Sequence, residues 1–135
     1  MARLHGKDWS TTVNAVEMST TGQTSNLNIS IDTAQVTAAA DTSHEYLEGD
    51  YGWDVSIDGY ADFGTGLQDI TTFGFIGNGE QAVIWKPDDG AVATTNPSYT
   101  GNAILTSYSL SAGVGDGVTA SQSYIGNGNV ARNVS

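Results

Sequence analysis

The chain has 135 residues, no cysteine and a formal net charge of −11, which arises from fifteen acidic and four basic residues. The missing cysteines exclude disulfides and thiolate chemistry, and the few Lys and Arg side chains exclude a surface that neutralises nucleic-acid phosphates. The length predicts one domain over residues 1–135, and the seventeen glycines with only two prolines favour short strands joined by turns.

The first third of the chain predicts a flexible segment and two strands. Residues 1–10 contain no apolar run of the kind found in an export signal or membrane span, so we expect synthesis in the cytoplasm and no membrane contact. An alternating pattern predicts a strand over 12–18. A second strand over 26–32 alternates throughout, with Leu27, Ile29 and Ile31 directed inward.

Residues 33–49 follow neither a period of 2 nor one of 3.6 residues, which predicts a long inter-strand loop. The loop contains Asp41, Ser43 and His44, the residue types of a nucleophilic triad. The members of a triad normally meet from separate parts of the chain, however, and the sequence has no Gly-x-Ser-x-Gly elbow. We therefore predict no catalytic residue here.

Residues 51–61 predict a strand with one apolar and one anionic face, because successive side chains of a strand point to opposite sides. Carboxylates four residues apart lie about 13 Å apart, too far for the acid–base pair of a glycosidase. The acidic residues near 45–50 and 88–90 do not match a calcium loop. The anionic face is either a passive solvated surface or one that repels a polyanion. The apolar positions are Tyr51, Trp53, Val55 and Ile57, and those between include Asp50, Asp54, Ser56, Asp58 and Asp62.

The remainder of the chain predicts one helix and further strands. Residues 64–77 have helical spacing, with Leu67, Ile70 and either Phe73 or Gly74 on one face. Strands are predicted over 81–85, 102–111 and 118–125, the last two as a hairpin, and a short strand over 130–134 follows a turn at 126–128. The whole predicts a mainly β protein, a β-sandwich or half-barrel of about seven strands with a short flanking helix.

The tryptophans are predicted in two classes. Trp53 and Trp85 occupy inward strand positions and are expected in the core. For Trp9, near the start of the chain, the core and a subunit interface are equally open.

Two segments resemble the major tail protein, or tail tube protein, of long-tailed bacteriophages and related tail-like particles. Residues 45–59 include a strand that carries Trp53 and ends in Asp58-Gly59, and residues 101–121 resemble the closing hairpin of that family, with a Val-Gly-Asp turn followed by Val-Thr. The predicted helix and the strand 81–85 lie between them in the order of the family. The likeness spans most of residues 10–130.

The resemblance implies a structural subunit of a virion tail, without catalytic residues, metal or cofactor, that is made in the host bacterial cytoplasm. Subunits of the family form hexameric rings that stack into a hollow tube with a negative lumen, through which double-stranded DNA passes without stable binding. The implied partners are further copies of the chain, a tape measure protein, and tail terminator and tip proteins. Another virion β protein (head decoration, tail terminator or baseplate component) is the alternative, followed by a carbohydrate- or calcium-binding β-sandwich.

The resemblance also implies site residues. The lumen-facing candidates are Asn28, Ser30, Asp54, Ser56, Asp58 and Asp62. Other polar strand positions compete for the lumen: Asn26 and Asp32 in one strand, and Thr119, Ser121 and Ser123 in another. The loop 33–49 is expected to contact neighbouring subunits or the next ring. The candidates for subunit and ring interfaces are Arg3, Lys7, Trp9, Asp41, His44, Glu45, Tyr46, Glu48 and Arg132.

Overall fold

The computed structural model of the protein describes residues 8–18, 22–40, 42–64, 68–115 and 117–134. Within these ranges the chain is mainly β with one short helix, α1 (Gln68–Gly74), between the fourth and fifth strands, and this confirms the predicted fold class. The strands are β1 (Ser10–Val13), β2 (Val16–Glu17), β3 (Gly22–Gln35), β4 (Tyr46–Tyr60), β5 (Glu80–Lys86), β6 (Ser98–Ser111) and β7 (Thr119–Asn133).

The strands form one antiparallel sheet in the order β2-β1-β5-β6-β7-β4-β3. Strand β3 ends this order, yet its Ser25 contacts strands near the opposite end. Ser25 Oγ lies 2.9 Å from Thr11 Oγ1 on β1 and accepts a hydrogen bond of 3.0 Å from Trp85 Nε1 on β5. The sheet therefore curls until its two ends meet, which is the half-barrel form of the prediction.

The core fills the concave side of the curled sheet. Trp53, Val55 and Ile57 enter it from every second position of β4, as the alternation predicts, so the core position of Trp53 is confirmed. Trp9 is partly buried and packs against the same cluster, whereas Trp85 is partly buried where the two ends of the sheet meet. The buried cluster comprises Val13, Met18, Trp53, Val55, Ile57, Phe75, Val83, Ala103 and Tyr124.

The single strand predicted over 12–18 is wrong, because β1 and β2 form a hairpin instead. Thr12 pairs with Glu17 and Val13 with Val16. The two residues between, Asn14 and Ala15, have φ angles of 50° and 66°. Positive φ at both central residues matches the twist of a two-residue hairpin turn. Alanine gives no sequence signal for that conformation, so the turn was not predictable from composition.

The N-terminal prediction is tested only in part. Ser10 already belongs to β1, so the predicted flexible segment cannot extend to residue 10. Residues 1–7 lie outside the described ranges.

The predicted loop 33–49 is also shorter than expected. Residues 33–35 belong to β3 and residues 46–49 to β4, and the two strands pair as far as Gln35 and Tyr46. Only residues 36–45 connect them. All described side chains of 46–52 are exposed, so this end of the hairpin has no buried face and hence no hydrophobic alternation to reveal it.

The turn predicted at 126–128 lies inside β7, which is continuous over 119–133. Gly126 and Gly128 of β7 have other structural roles. Gly126 lies against the indole of Trp53, so closely that a Cβ at this position would overlap the ring. Gly128 has a φ of 91°, and the β6–β7 register shifts between Thr100 and Asn102. These glycines allow a close approach and an irregularity within the strand rather than a chain reversal.

Helix α1 lies within the predicted range 64–77 but is shorter, and its buried side differs from the predicted one. Thr72 and Phe75 are buried, whereas Ile70 and Phe73 are exposed. Leu67, the other member of the predicted apolar face, lies outside the described residues. No helix in the described ranges has the length and apolar character needed to cross a membrane.

Candidate functional site

The side of the sheet opposite the core carries a mostly polar surface, in which Tyr60 and Ile125 are exposed exceptions, over four adjacent strands, β6, β7, β4 and β3. These are the long strands of the protein, with 14 or 15 residues each. We call this surface the polar face. Its members are Thr24, Asn26, Asn28 and Ser30 on β3; Asp54, Ser56 and Asp58 on β4; Thr119, Ser121 and Ser123 on β7; and Ser107, Ser109 and Ser111 on β6.

The strand register decides how the predicted lumen candidates relate to one another. Asn28 of β3 lies opposite Asp54, and Asn26 lies opposite Ser56. On the other side of β4, Ser123 lies opposite Ser56 and Ser121 opposite Asp58. From the sequence alone, these strands are alternative candidates for the surface that lines the lumen. In the structure they are neighbours on a single surface.

Each carboxylate of the polar face accepts a hydrogen bond from a neutral side chain of an adjacent strand. Asn28 Nδ2 donates to Asp54 Oδ1 at 3.1 Å, and Ser121 Oγ donates to Asp58 Oδ1 at 2.5 Å. These cross-strand pairs stabilise the sheet without neutralising its charge. The two carboxylates lie about 13 Å apart along the strand, beyond the screening length of about 8 Å at physiological salt. The anionic strand is therefore tolerated in the isolated subunit.

Neither of the two basic residues that the structure describes belongs to the polar face. Lys86 donates its Nζ hydrogen bond to the carbonyl oxygen of Gly90, in the loop that follows β5. Arg132 is exposed near the end of β7, opposite Tyr99. The remaining basic residues, Arg3 and Lys7, lie outside the described ranges. The polar face consequently has a net negative charge.

Asp62 does not belong to the polar face, contrary to the sequence prediction. Strand β4 ends at Tyr60, and Asp62 lies in the turn that leads to α1. Its Oδ1 accepts a hydrogen bond of 3.1 Å from Gly64 N, and its carbonyl oxygen accepts one of 2.9 Å from Asp69 N. The strand, and with it the alternation of its side chains, therefore ends before Asp62, the last residue of the acidic pattern.

Sequence reasoning missed the contribution of β6. Ser107, Ser109 and Ser111 extend the polar face to a fourth strand, because Ser107 lies opposite Ser123 and Ser109 opposite Ser121. The signal was available as a serine at every second position. These residues are neutral, however, and carry no chemistry that marks a functional surface.

Both lateral edges of the four-stranded segment are free within the described residues. Strand β3 is the last strand of the sheet. On the other side, β5 pairs only with residues 99–104 of β6, which leaves the edge of residues 105–111 without a described strand partner. Exposed edges of this length are rare in a monomer because they invite pairing with another chain.

The β3–β4 hairpin carries several interface candidates and diverges from β7 near Trp53. The last residue pair between β4 and β7 is Asp54 with Ile125. Beyond it, Trp53 Nε1 donates to Gly128 O at 3.1 Å, and Tyr51 Oη accepts a hydrogen bond of 3.3 Å from Val130 N. Two side chains thus take over the hydrogen bonds that a strand ladder would otherwise make.

Polar contacts close the tip of this hairpin. Gln35 Nε2 lies 2.8 Å from His44 Nδ1 and donates to Thr37 Oγ1 at 3.1 Å, and Thr37 Oγ1 also accepts from Glu45 N at 2.9 Å. Tyr46 and Glu48 are exposed nearby. Asp41 lies outside the described residues, so the structure describes no triad with His44. In the described part of the chain, no group of three or more His, Asp or Glu side chains is placed to hold a metal ion.

Solved structures with this arrangement of strands come from virus tails and related particles. A chain from the virion of a native gene transfer agent matches 97% of this chain and 99% of its own length, with a TM-score of 0.77 and 14% identity. A chain of the SPP1 tail tube matches 98% of this chain and 80% of its own length, with a TM-score of 0.76 and 14% identity. The protein has the tail-tube fold.

The tail-tube fold also occurs at the ends of tubes. The sheath/tube terminator of an extracellular contractile injection system matches 98% of this chain and 98% of its own length, with a TM-score of 0.73 and 12% identity. At such identities the likeness concerns the fold alone. The sequence matches no protein-family profile and no curated protein.

Proposed function

We propose that this chain is the structural subunit of a virion tail tube. Six copies form a ring, rings stack into a hollow conduit, and the polar face lines the channel through which double-stranded DNA passes. The observation that carries the proposal is the four-stranded segment, which combines a negative face with two free edges. An isolated subunit has no use for either property.

The strand directions support closure into a ring. Rotation about the axis of a ring leaves strand directions the same in every copy. Neighbouring strands of the segment are antiparallel, so β6 and β3 at its two edges run in opposite directions. When β3 of one copy lies beside residues 105–111 of the next, the new pair is again antiparallel. An even number of strands in each copy is what preserves this alternation around a closed barrel.

The charge of the polar face supports a role in DNA passage. Stable DNA binding depends on Lys and Arg that neutralise phosphates, and the polar face includes neither Lys86 nor Arg132, the basic residues of the described ranges. Repetition of Asp54 and Asp58 around a ring and along a stack produces a negative potential that keeps phosphates away from the wall. The DNA then slides without stalling.

The number of copies and the partners rest on similarity. A chain of a gene transfer agent tail with C6 symmetry shares the fold, with a TM-score of 0.65, 14% identity and coverage of 82% of this chain and 81% of its own. A tape measure protein inside the tube and terminator and tip proteins at its ends complete the proposed tail. The loop 36–45, with His44, Glu45, Tyr46 and Glu48 at or beside it, would contact the next ring, and Arg3, Lys7, Trp9, Asp41 and Arg132 remain interface candidates.

The experiment that tests the proposal is negative-stain microscopy of the purified protein before and after concentration. We expect hollow tubes of constant width with six-fold end views. A species that remains monomeric at all concentrations would contradict the proposal.

A tail terminator is the second candidate, because a terminator chain matches this protein with a TM-score of 0.73, close to that of the tube chains. A terminator also forms a ring, but it caps a tube instead of extending one. Sedimentation distinguishes the two roles: a tube subunit forms a series of stacked rings that grows with concentration, whereas a terminator stops at a single ring.

A further inference from the structure

Helix α1 presents an apolar ridge that its own subunit does not use. Ile70 is 57% exposed and Phe73 is 67% exposed, and the three-residue spacing places both on one side of the helix. The buried residues of this region are instead Thr72, within the helix, and Phe75, which directly follows it. The sequence correctly predicts an apolar stripe, but the stripe faces away from the core.

Polar contacts fix α1 beside the free edge of β6. Tyr108 Oη donates a hydrogen bond of 2.7 Å to Asp69 Oδ1, and Thr72 Oγ1 donates one of 3.3 Å to Gln122 Oε1. Tyr108 belongs to the part of β6 that has no described strand partner on one side. The helix therefore lies on the core side of the sheet, next to the edge at which a neighbouring copy would join.

A second uncovered apolar surface lies on β3, the opposite edge. Ser25, Leu27, Ile29 and Ile31 point to the core side of the sheet. Ser25 contacts Trp85, and Leu27 packs against the core cluster. Ile29 and Ile31 are left 48% and 53% exposed. Only this second half of the β3 face is available to another chain.

We infer that the ridge of α1 in one copy covers Ile29 and Ile31 of the neighbouring copy in the ring. The inference rests on the proposed function, because it requires β3 of one copy to pair with residues 105–111 of the next. In that arrangement both apolar surfaces lie on the same side of the continuous sheet. Both also lie at the seam, which we define as the joint between the paired edges of two copies. Ser25 and Leu27 are already covered by their own subunit, so Ile29 and Ile31 are the residues that need cover.

The seam then has two components of different chemistry. Backbone hydrogen bonds between the paired edges fix the direction and register of the strands. Burial of the helix ridge against Ile29 and Ile31 removes exposed apolar surface from water on the outer side of the wall. The partner at this surface is thus a second copy of the chain, and the contact is hydrophobic.

Disulfide trapping tests this contact, since the chain has no native cysteine. Four double variants combine Ile70→Cys or Phe73→Cys with Ile29→Cys or Ile31→Cys. After oxidation of assembled protein, at least one pair is expected to give a ladder of covalent oligomers that ends at the ring, because a disulfide requires Cα atoms within about 7 Å. The matched control combines Ile31→Cys with Val114→Cys, an exposed residue between β6 and β7, and is expected to give no ladder.

The outcomes separate this inference from the proposed function. Rings or tubes that form without a ladder in any of the four variants would overturn the helix contact and leave the tube role intact. A wild-type protein that forms no rings would overturn both. A ladder in the Val114 control alone would also overturn the contact, because it would place another surface at the seam.

If the cysteine variants assemble poorly, a single substitution in the helix ridge provides a second test. Phe73→Gln is expected to leave the Tm of the monomer unchanged and to cause a loss of ring formation at concentrations where the wild-type protein assembles. A lower monomer Tm with unchanged assembly would contradict the inference.

Discussion

The indole of Trp53 lies on the backbone of Gly126, with no room for a side chain between them. Gly101, on β6, is nearly as close, since a Cβ there would lie 2.5 Å from Trp53 Cζ2, against 2.2 Å from Cε2 for one at Gly126. One tryptophan of β4 thus occupies space that two other strands leave free. This packing anchors the core just where the β3–β4 hairpin diverges from β7.

Gly126→Ala is therefore expected to destabilise the protein. The added methyl group collides with a ring that is itself buried, and overpacking of this kind costs about 1–3 kcal/mol. The free energy of unfolding, from urea titration of the monomer, measures the effect. Gly52→Ala is the matched control, because a Cβ at Gly52 meets nothing within 4 Å. Equal losses for both variants would show that the Trp53 contact is not the cause.

Alkaline pH is expected to destabilise the subunit through Tyr124. Burial raises the pKa of Tyr124 above its ordinary value, opposed by its hydrogen bond with Thr72 and aided by Tyr108. The unfolded state loses the phenol proton near pH 10, whereas the folded state retains it. The stabilising contribution is thus complete below pH 10 and declines as the pH rises above it, by at most about 1.4 kcal/mol per pH unit.

Urea unfolding between pH 9 and 11 tests this prediction. Tyr124→Phe should reduce the slope of stability against pH above pH 10, although it also removes the hydrogen bond to Gln122. Tyr46→Phe is the matched control, because it removes the same hydroxyl group at an exposed position. An unchanged slope in Tyr124→Phe would rule out Tyr124 as the titrating group.

Asp54→Lys is expected to convert the proposed channel into one that retains DNA. The substitution adds a cation to the polar face of every copy. Contacts between these cations and the phosphates should then allow DNA to bind, with an affinity that falls steeply as the salt concentration rises. Assembled tubes mixed with short duplex DNA, followed by sedimentation at several salt concentrations, measure retention. Asp89→Lys, in the exposed loop after β5, makes the same change of charge away from the polar face. Equal retention by both variants would contradict the luminal assignment of Asp54.

Residues near the tip of the β3–β4 hairpin are expected to form the contact between stacked rings. Tyr46→Ser with Leu47→Ser replaces two exposed apolar side chains at the base of the loop 36–45. Because neither residue is buried in the subunit, the Tm of the monomer should change by no more than a few degrees, as is usual for surface substitutions. Analytical ultracentrifugation should show single rings in place of stacks. Normal stacking would place the ring-to-ring contact elsewhere.

The sequence predicts the fold well where one side of a strand is buried and poorly where neither side is. The pattern around Trp53 identifies β4 and its core-facing side chains, because burial imposes a strict period of 2. The sequence predicts a loop at the end of the same strand near Tyr46, since both of its sides are exposed. An interface that forms only between copies leaves no such pattern within one chain.

The polar face was predictable only in part. Its acidic strand could be read from the sequence, but the alignment of Asn28 with Asp54, or of Ser121 with Asp58, depends on the register of pairing. Register is set by turns and irregularities, such as the shift between Ile31 and Thr33 in the β3–β4 pair. The helix shows the converse case, because the sequence predicts its apolar stripe but not that Ile70 and Phe73 are exposed.

The opposite directions of β3 and β6 restrict how the wall of a tube built from this subunit could change during evolution. Gain or loss of a single strand would make the two edges of a subunit run the same way, and the antiparallel joint with the next copy would be lost. Whole hairpins can be added or removed without this penalty. The bore of the conduit would therefore widen or narrow in discrete steps of two strands per subunit, while loops and the outer helix remain free to vary continuously.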